Sequence, residues 1–230
     1  MLKQTLIEHL EELRKRFINV FIFLIIFFLI GFLISPLIIQ FIRTSFPGNY
    51  NLVVINPIEY IYTKVHVALY FSIALTIPII LYHLVGFTKP ALNSEEKKII
   101  KIAIPFIILF FIVGVLFSCL LLKIVLSFFS EIATKADIAN LWSLNQFISF
   151  IFITSISLGV IFELPIIVLI LKKLDIIDIG ILKKRRRHAY ILIFIFAAMT
   201  TPPDVLTQFV VAIPLILLYE FSILILRIFK

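Results

Sequence analysis

The chain has 230 residues, 62% of them hydrophobic, with 25 Phe against only 6 Gly. A soluble domain is roughly 45–50% apolar, so this composition excludes an ordinary soluble fold and marks a polytopic membrane protein. The net charge of +8 would fit nucleic acid, but its distribution does not. All lysines and arginines except Arg43, Lys64, Lys123 and Lys135 fall before the first apolar run, after the second, after the fourth or at the C-terminus. That is the positive-inside pattern. It puts both termini in the cytoplasm of a multi-pass plasma-membrane protein and leaves nucleic acid unneeded as a partner.

Residues 1–16 open the chain as an amphipathic cytoplasmic segment, in which Leu6, Leu10 and Leu13, with Phe17, form an apolar stripe at helical spacing. The run Phe17–Ile42 is too long for a secretory signal core and has no small-residue cleavage site. Its break at Ser35-Pro36 predicts a first span over Phe17–Ser35 and an external loop over about 36–64. A second span follows at Val65–Val85, with Pro78 inside it, then a cytoplasmic loop over about 86–101. The third span is Ile102–Leu122, followed by an external region over about 123–145 that begins with a helical extension toward Phe129. The fourth is Gln146–Leu171, and a basic cytoplasmic loop covers about 172–188.

Two apolar pieces remain, Ala189–Thr201 and Val205–Tyr219, either side of Thr201-Pro202-Pro203-Asp204. Each makes roughly 20 Å of helix against a hydrocarbon core of about 30 Å. They read as a short hairpin. One long Pro-kinked helix is the alternative, and Arg227 and Lys230 speak against the external C-terminus it would give. The expected fold is all-α: one domain over 1–230, six transmembrane helices, both termini cytoplasmic and the last two helices short.

Chemistry is sparse. The sequence has no HExxH, GxSxG or GxxxxGK[ST], and His9, His66, His83 and His188 are scattered over different segments. Cys119 is the single cysteine, so no internal disulfide can form. No cofactor, metal or catalytic residue is expected. One carboxylate stands out, Glu163, in SLGVIFELPIIVLIL. A charge at bilayer depth costs roughly 2.5–3.5 kcal/mol, so Glu163 needs a partner or a task. Docking of another subunit, local satisfaction by a serine such as Ser155 or Ser157, and proton handling are all open. The last would suit a proton-coupled small-solute transporter, although the chain lacks the repeated halves such carriers show.

The motifs, taken in order, resemble those of the TatC family, the multispanning signal-receptor subunits of the twin-arginine protein translocase. They are His9-Leu10-x-Glu12-Leu13-Arg14-Lys15-Arg16, Pro57-x-Glu59, Pro78-Ile-Ile-Leu-Tyr82, Phe87-x-x-Pro90-Ala91-Leu92 followed by Glu96, Phe162-Glu163-x-Pro165, and Thr201-Pro202-Pro203-Asp204 with Gln208. They cover nearly the whole chain. Arg187 stands where family members carry Pro, and Ala198 replaces a larger residue in the partner-binding patch.

The resemblance implies a receptor and scaffold, not an enzyme, that binds Arg-Arg signal peptides of folded cargo and is driven by the proton motive force. Glu12 and Glu96 match the peptide-binding acids, with Glu11 and Glu95 one position away. A guanidinium fork suits a carboxylate through charge-assisted hydrogen bonds. Arg14, Phe87, Pro90 and Leu92 would shape the same cytoplasmic surface. Glu163, Thr201 and Gln208 would meet single-span TatA/TatB-type subunits. Pro202, Pro203 and Asp204 would form the hairpin turn, Asp204 capping the sixth helix. Membrane lipid and further copies of the chain complete the implied partners.

Overall fold

The computed structural model describes residues 6–48, 50–88, 94–173, 177, 179–200 and 205–228. Side chains are described for the same residues apart from 6–10, 84–88, 94–100, 179, 200, 206, 225 and 227–228. Eight helices and two short strands follow one another in these residues: α1 (Leu6–Ser45), β1 (Asn51–Val53), α2 (Glu59–Thr88), α3 (Ser94–Lys135), β2 (Leu141–Ser143), α4 (Leu144–Phe162), α5 (Leu164–Lys173), α6 (Ile179–Lys184), α7 (Arg186–Thr200) and α8 (Val205–Ile228).

Five helical stretches are long and apolar enough to cross a membrane: 11–45, 59–83, 101–135, 144–173 and 207–224. The fourth combines α4 and α5. At about 1.5 Å per residue, the 15 residues of α7 make roughly 22 Å, which sets it apart from these five. Large apolar side chains stand exposed along the spans, among them Phe21, Leu33, Phe41, Leu116, Leu120 and Leu217. A bilayer, not water, is the solvent for such a surface.

α1 does not stop at Pro36. It runs 40 residues to Ser45 with Pro36 inside it, because the residues beyond the proline are needed in the core. Ile39, Ile42 and Phe46 pack with Val67, Leu122, Leu126, Phe147 and Ile148. Burial of that size outweighs one lost backbone hydrogen bond. α3 likewise continues past Phe129 to Lys135. There Asp137 takes φ 57°, a left-handed turn that aspartate tolerates better than most residues, and the Ile138 amide donates to the Ala133 carbonyl at 3.0 Å.

α3 and α4 meet almost backbone to backbone. A Cβ at Gly114 would lie 2.8 Å from both the Gly159 Cα and the Leu158 carbonyl oxygen. One turn along, Ser118 donates to the Ser155 hydroxyl at 2.7 Å. A second core, of Leu121, Val125, Leu158, Ala197, Val211, Ala212 and Leu215, joins α3 and α4 to α7 and α8.

The strands clip two connections together. β1 pairs in parallel with β2, Asn51 opposite Leu141 and Val53 opposite Ser143, and Tyr50 stacks on Trp142 with ring centroids 4.1 Å apart. Glu59, only 7% exposed, fastens the clip. Its Oε2 accepts from the amides of Ile55 (2.5 Å) and Asn56 (3.3 Å). Its Oε1 accepts from the Ser143 hydroxyl (2.5 Å) and the Asn145 amide (3.1 Å). Ser143 in turn caps α4 by accepting from the Gln146 amide at 3.3 Å.

α7 and α8 run antiparallel. Arg186 Nη2 donates to Glu220 Oε2 and Tyr190 Oη to Glu220 Oε1, both at 2.6 Å. At the other end Gln208 Nε2 donates to the Phe194 carbonyl at 3.0 Å. The hairpin is therefore the arrangement adopted, not one kinked helix. α8 is longer than its apolar run: it passes Glu220 and reaches Ile228 over 24 residues. The two partners of Glu220 are what make a carboxylate acceptable there.

Candidate functional site

Glu12 lies near the start of α1, where Glu11 and Glu12 precede Arg14, Lys15 and Arg16. Arg16, four residues on, donates to its Oε1 from Nε at 3.0 Å and from Nη2 at 2.5 Å. Spacing of four puts the two side chains on one helix face. Arg16 Nη1 also donates to the His83 carbonyl on α2 at 3.2 Å. The pair is therefore anchored beside the last turns of α2, yet it remains reachable, at 27% exposure for Glu12 and 23% for Arg16. Glu11 and Arg14 are exposed, and no ion pair of either is found among the described residues.

The same end of the bundle carries Phe87, in the last turn of α2, and Glu96, in the first turn of α3. Their backbones are described but their side chains are not. Pro90 and Leu92 lie outside the described residues. The structure thus brings Glu12, Phe87 and Glu96 to one end through chain topology, with Arg16 as the link between α1 and α2.

Glu163 occupies the break between α4 and α5. Its own amide donates to the Val160 carbonyl at 3.1 Å, and its carbonyl accepts from Ile167 at 2.9 Å. Pro165, lacking an N–H, stands two residues later, which leaves the ladder interrupted here. The side chain is fully buried, and neither carboxyl oxygen has a hydrogen-bond partner among the described residues. Ser155, one of the serines expected to satisfy it, is engaged instead with Ser118 on α3. Gln208 turns to Phe194 rather than to Glu163. Thr201, Pro202, Pro203 and Asp204 lie outside the described residues, in the interval between α7 and α8.

Residues missed from the sequence are Arg16 as the partner of Glu12, Ser143 as the partner of Glu59, and Glu220 as the fastening of the hairpin. Only the first had a local signal, the four-residue spacing of acid and base.

A bundle of apolar helices with a carboxylate–guanidinium pair at one end and a lone carboxyl buried in a broken span defines a multi-pass membrane protein, with no metal-ligand cluster among the described residues. Comparison with known proteins specifies which. The family model described as "Sec-independent protein translocase protein (TatC)" matches residues 8–214. TatC of Carboxydothermus hydrogenoformans is 36% identical over 98% of this chain and 94% of its own length. TatCy of Bacillus subtilis is 34% identical over 97% of this chain and 89% of its own. A crystal structure of the twin-arginine translocase receptor TatC is similar with a TM-score of 0.84 at 32% identity, covering 94% of this chain and 97% of that one. The chain belongs to the TatC family of Sec-independent protein translocase proteins. It is a multi-pass membrane component of that translocase.

Proposed function

We propose that the chain is the signal-peptide receptor and scaffold of a twin-arginine translocase, without catalytic chemistry of its own. Glu12 and Glu96 each take one arginine of an Arg-Arg signal peptide at the cytoplasmic face, and Arg14, Phe87, Pro90 and Leu92 shape the surrounding surface. The observation that carries this reading is the Glu12–Arg16 pair. A carboxylate at the expected position already holds a guanidinium through two donors, in a place a second guanidinium can reach.

Single-span TatA/TatB-type subunits dock along the fourth span and the hairpin, through Glu163, Thr201 and Gln208, with Pro202, Pro203 and Asp204 setting the turn. The unpartnered carboxyl of Glu163 supports this, since a buried polar group without a partner is costly. Because it is closed off in the single chain, docking includes a shift of its side chain or of α5. The proton motive force supplies the energy, and further copies of the chain assemble with it in the translocase.

The test is binding of a twin-arginine signal peptide to detergent-purified protein, compared with its Lys-Lys variant. The expected result is a clear preference for Arg-Arg, abolished in the Glu12→Ala, Glu96→Ala double variant while its circular dichroism stays helical. Undiminished binding by that variant would remove both acids from the site.

A further inference from the structure

The basic corner between α6 and α7 carries more charge than the hairpin uses. Lys183, Lys184, Arg185, Arg186 and Arg187 are consecutive and all exposed. Arg186 is taken up by Glu220. No ion-pair partner of the other four is found among the described residues. Asp175 and Asp178, earlier in the same segment, lie outside the described residues.

The corner is held in place and has an apolar footing. Tyr219 Oη donates to the Leu182 carbonyl at 2.9 Å, tying α6 to α8. Ile181, 52% exposed, stands one turn before Arg185. An exposed isoleucine beside four cations suits the boundary where acyl chains meet headgroups. The length of α7 points the same way. At roughly 22 Å, it is shorter than a hydrocarbon core of about 30 Å, and a short span draws the bilayer surface inward. The cations at its first turn then meet lipid phosphates at close range.

We propose that the α6–α7 corner binds an anionic phospholipid headgroup, with Lys183, Lys184, Arg185 and Arg187 supplying the charge and Ile181 the apolar contact. A cluster of four cations beside a spanning helix is the pattern that attracts acidic lipid, and a zwitterionic headgroup gives it little net charge to hold. The inference uses the orientation proposed above, with this segment cytoplasmic, and is independent of peptide recognition.

The test reconstitutes the protein in nanodiscs of phosphatidylcholine containing a minor fraction of phosphatidylglycerol. Mass spectrometry then measures which lipid stays bound after mild detergent extraction. The unaltered protein should retain phosphatidylglycerol in excess of its share, and less of it as salt is raised, since screening weakens exposed charges. Lys183→Gln with Arg185→Gln should lower that enrichment by at least about tenfold. Lys183→Arg should keep it, as should Lys123→Gln with Lys135→Gln at the other end of the bundle. Salt-independent retention in lipid proportion by the unaltered protein would overturn the proposal without recourse to any variant. So would full enrichment in the Gln pair. Twin-arginine peptide binding, read on the same samples, should be unaffected by the Gln pair, which separates this site from the receptor reading.

Discussion

Arg16 already holds Glu12 with the kind of group that a twin-arginine peptide would bring. Its Nε and Nη2 both donate to the carboxylate, at Oε1, so a peptide arginine competes with a neighbour on the same helix. An exposed pair of this kind contributes about 0.2–1 kcal/mol. Arg16→Gln should therefore tighten peptide binding by up to about fivefold, as read by fluorescence anisotropy of a labelled peptide. Unchanged or weaker binding would mean that Arg16 supports the site instead of guarding it. At this scale the sequence is informative where a residue is out of keeping with its surroundings, as Glu163 is within FELP. It is silent where partners are far apart in the chain. Glu59 and Ser143 are separated by 84 positions, and no local spacing announces their hydrogen bond.

Among the elements, apolar run length was enough to find the spans through α2, α3, α4–α5 and α8, because a bilayer demands such runs. It was a poor guide to where helices end. Pro36 read as a stop, yet the burial of Ile39 and Ile42 carries α1 past it. Glu220 read as the end of the last span, yet Arg186 and Tyr190 satisfy it and α8 continues. Both errors arise from tertiary contacts that override a local signal. The α3–α4 seam is another contact that composition cannot reveal, since Gly114 and Gly159 find one another only in the fold. Gly114→Ala would force a methyl group onto backbone at 2.8 Å, an overpacking that costs about 1–3 kcal/mol. Thermal unfolding in detergent should show a lower midpoint for this variant.

For the whole molecule, the open question is what Glu163 does in the assembly. Glu163→Gln keeps the shape of the side chain and removes its ability to ionise. In a receptor and scaffold this variant should co-purify with less of the single-span subunit, while twin-arginine peptide binding stays within about twofold, well under the 1.4 kcal/mol that corresponds to a tenfold change. In a proton-coupled carrier it would instead abolish coupled solute uptake, which proteoliposomes measure directly. The family and the general architecture were legible because ordered motifs run the length of the chain. The state of Glu163 was not: α3 contributes to its surroundings through Phe111 as well as its own span, and only the packed structure reveals that its carboxyl is shut in, without a hydrogen-bond partner among the described residues.

The strand clip has a mechanical consequence. Ser45, Glu59, Lys135 and Leu144, the ends of α1 to α4 nearest to it, are gathered where β1 meets β2 and Glu59 grips both connections. Glu12, Phe87 and Glu96 lie at the opposite ends of the same rods. Rods pinned at one end part most easily at the other, as in a clothes-peg. With α3 about 60 Å long, a tilt of only a few degrees about the pin displaces the far tip by several ångströms. The clip thus fixes one end of the first four helices, and any tilt about it is largest at the other end, where the proposed peptide site lies and where Arg16 ties α1 to α2.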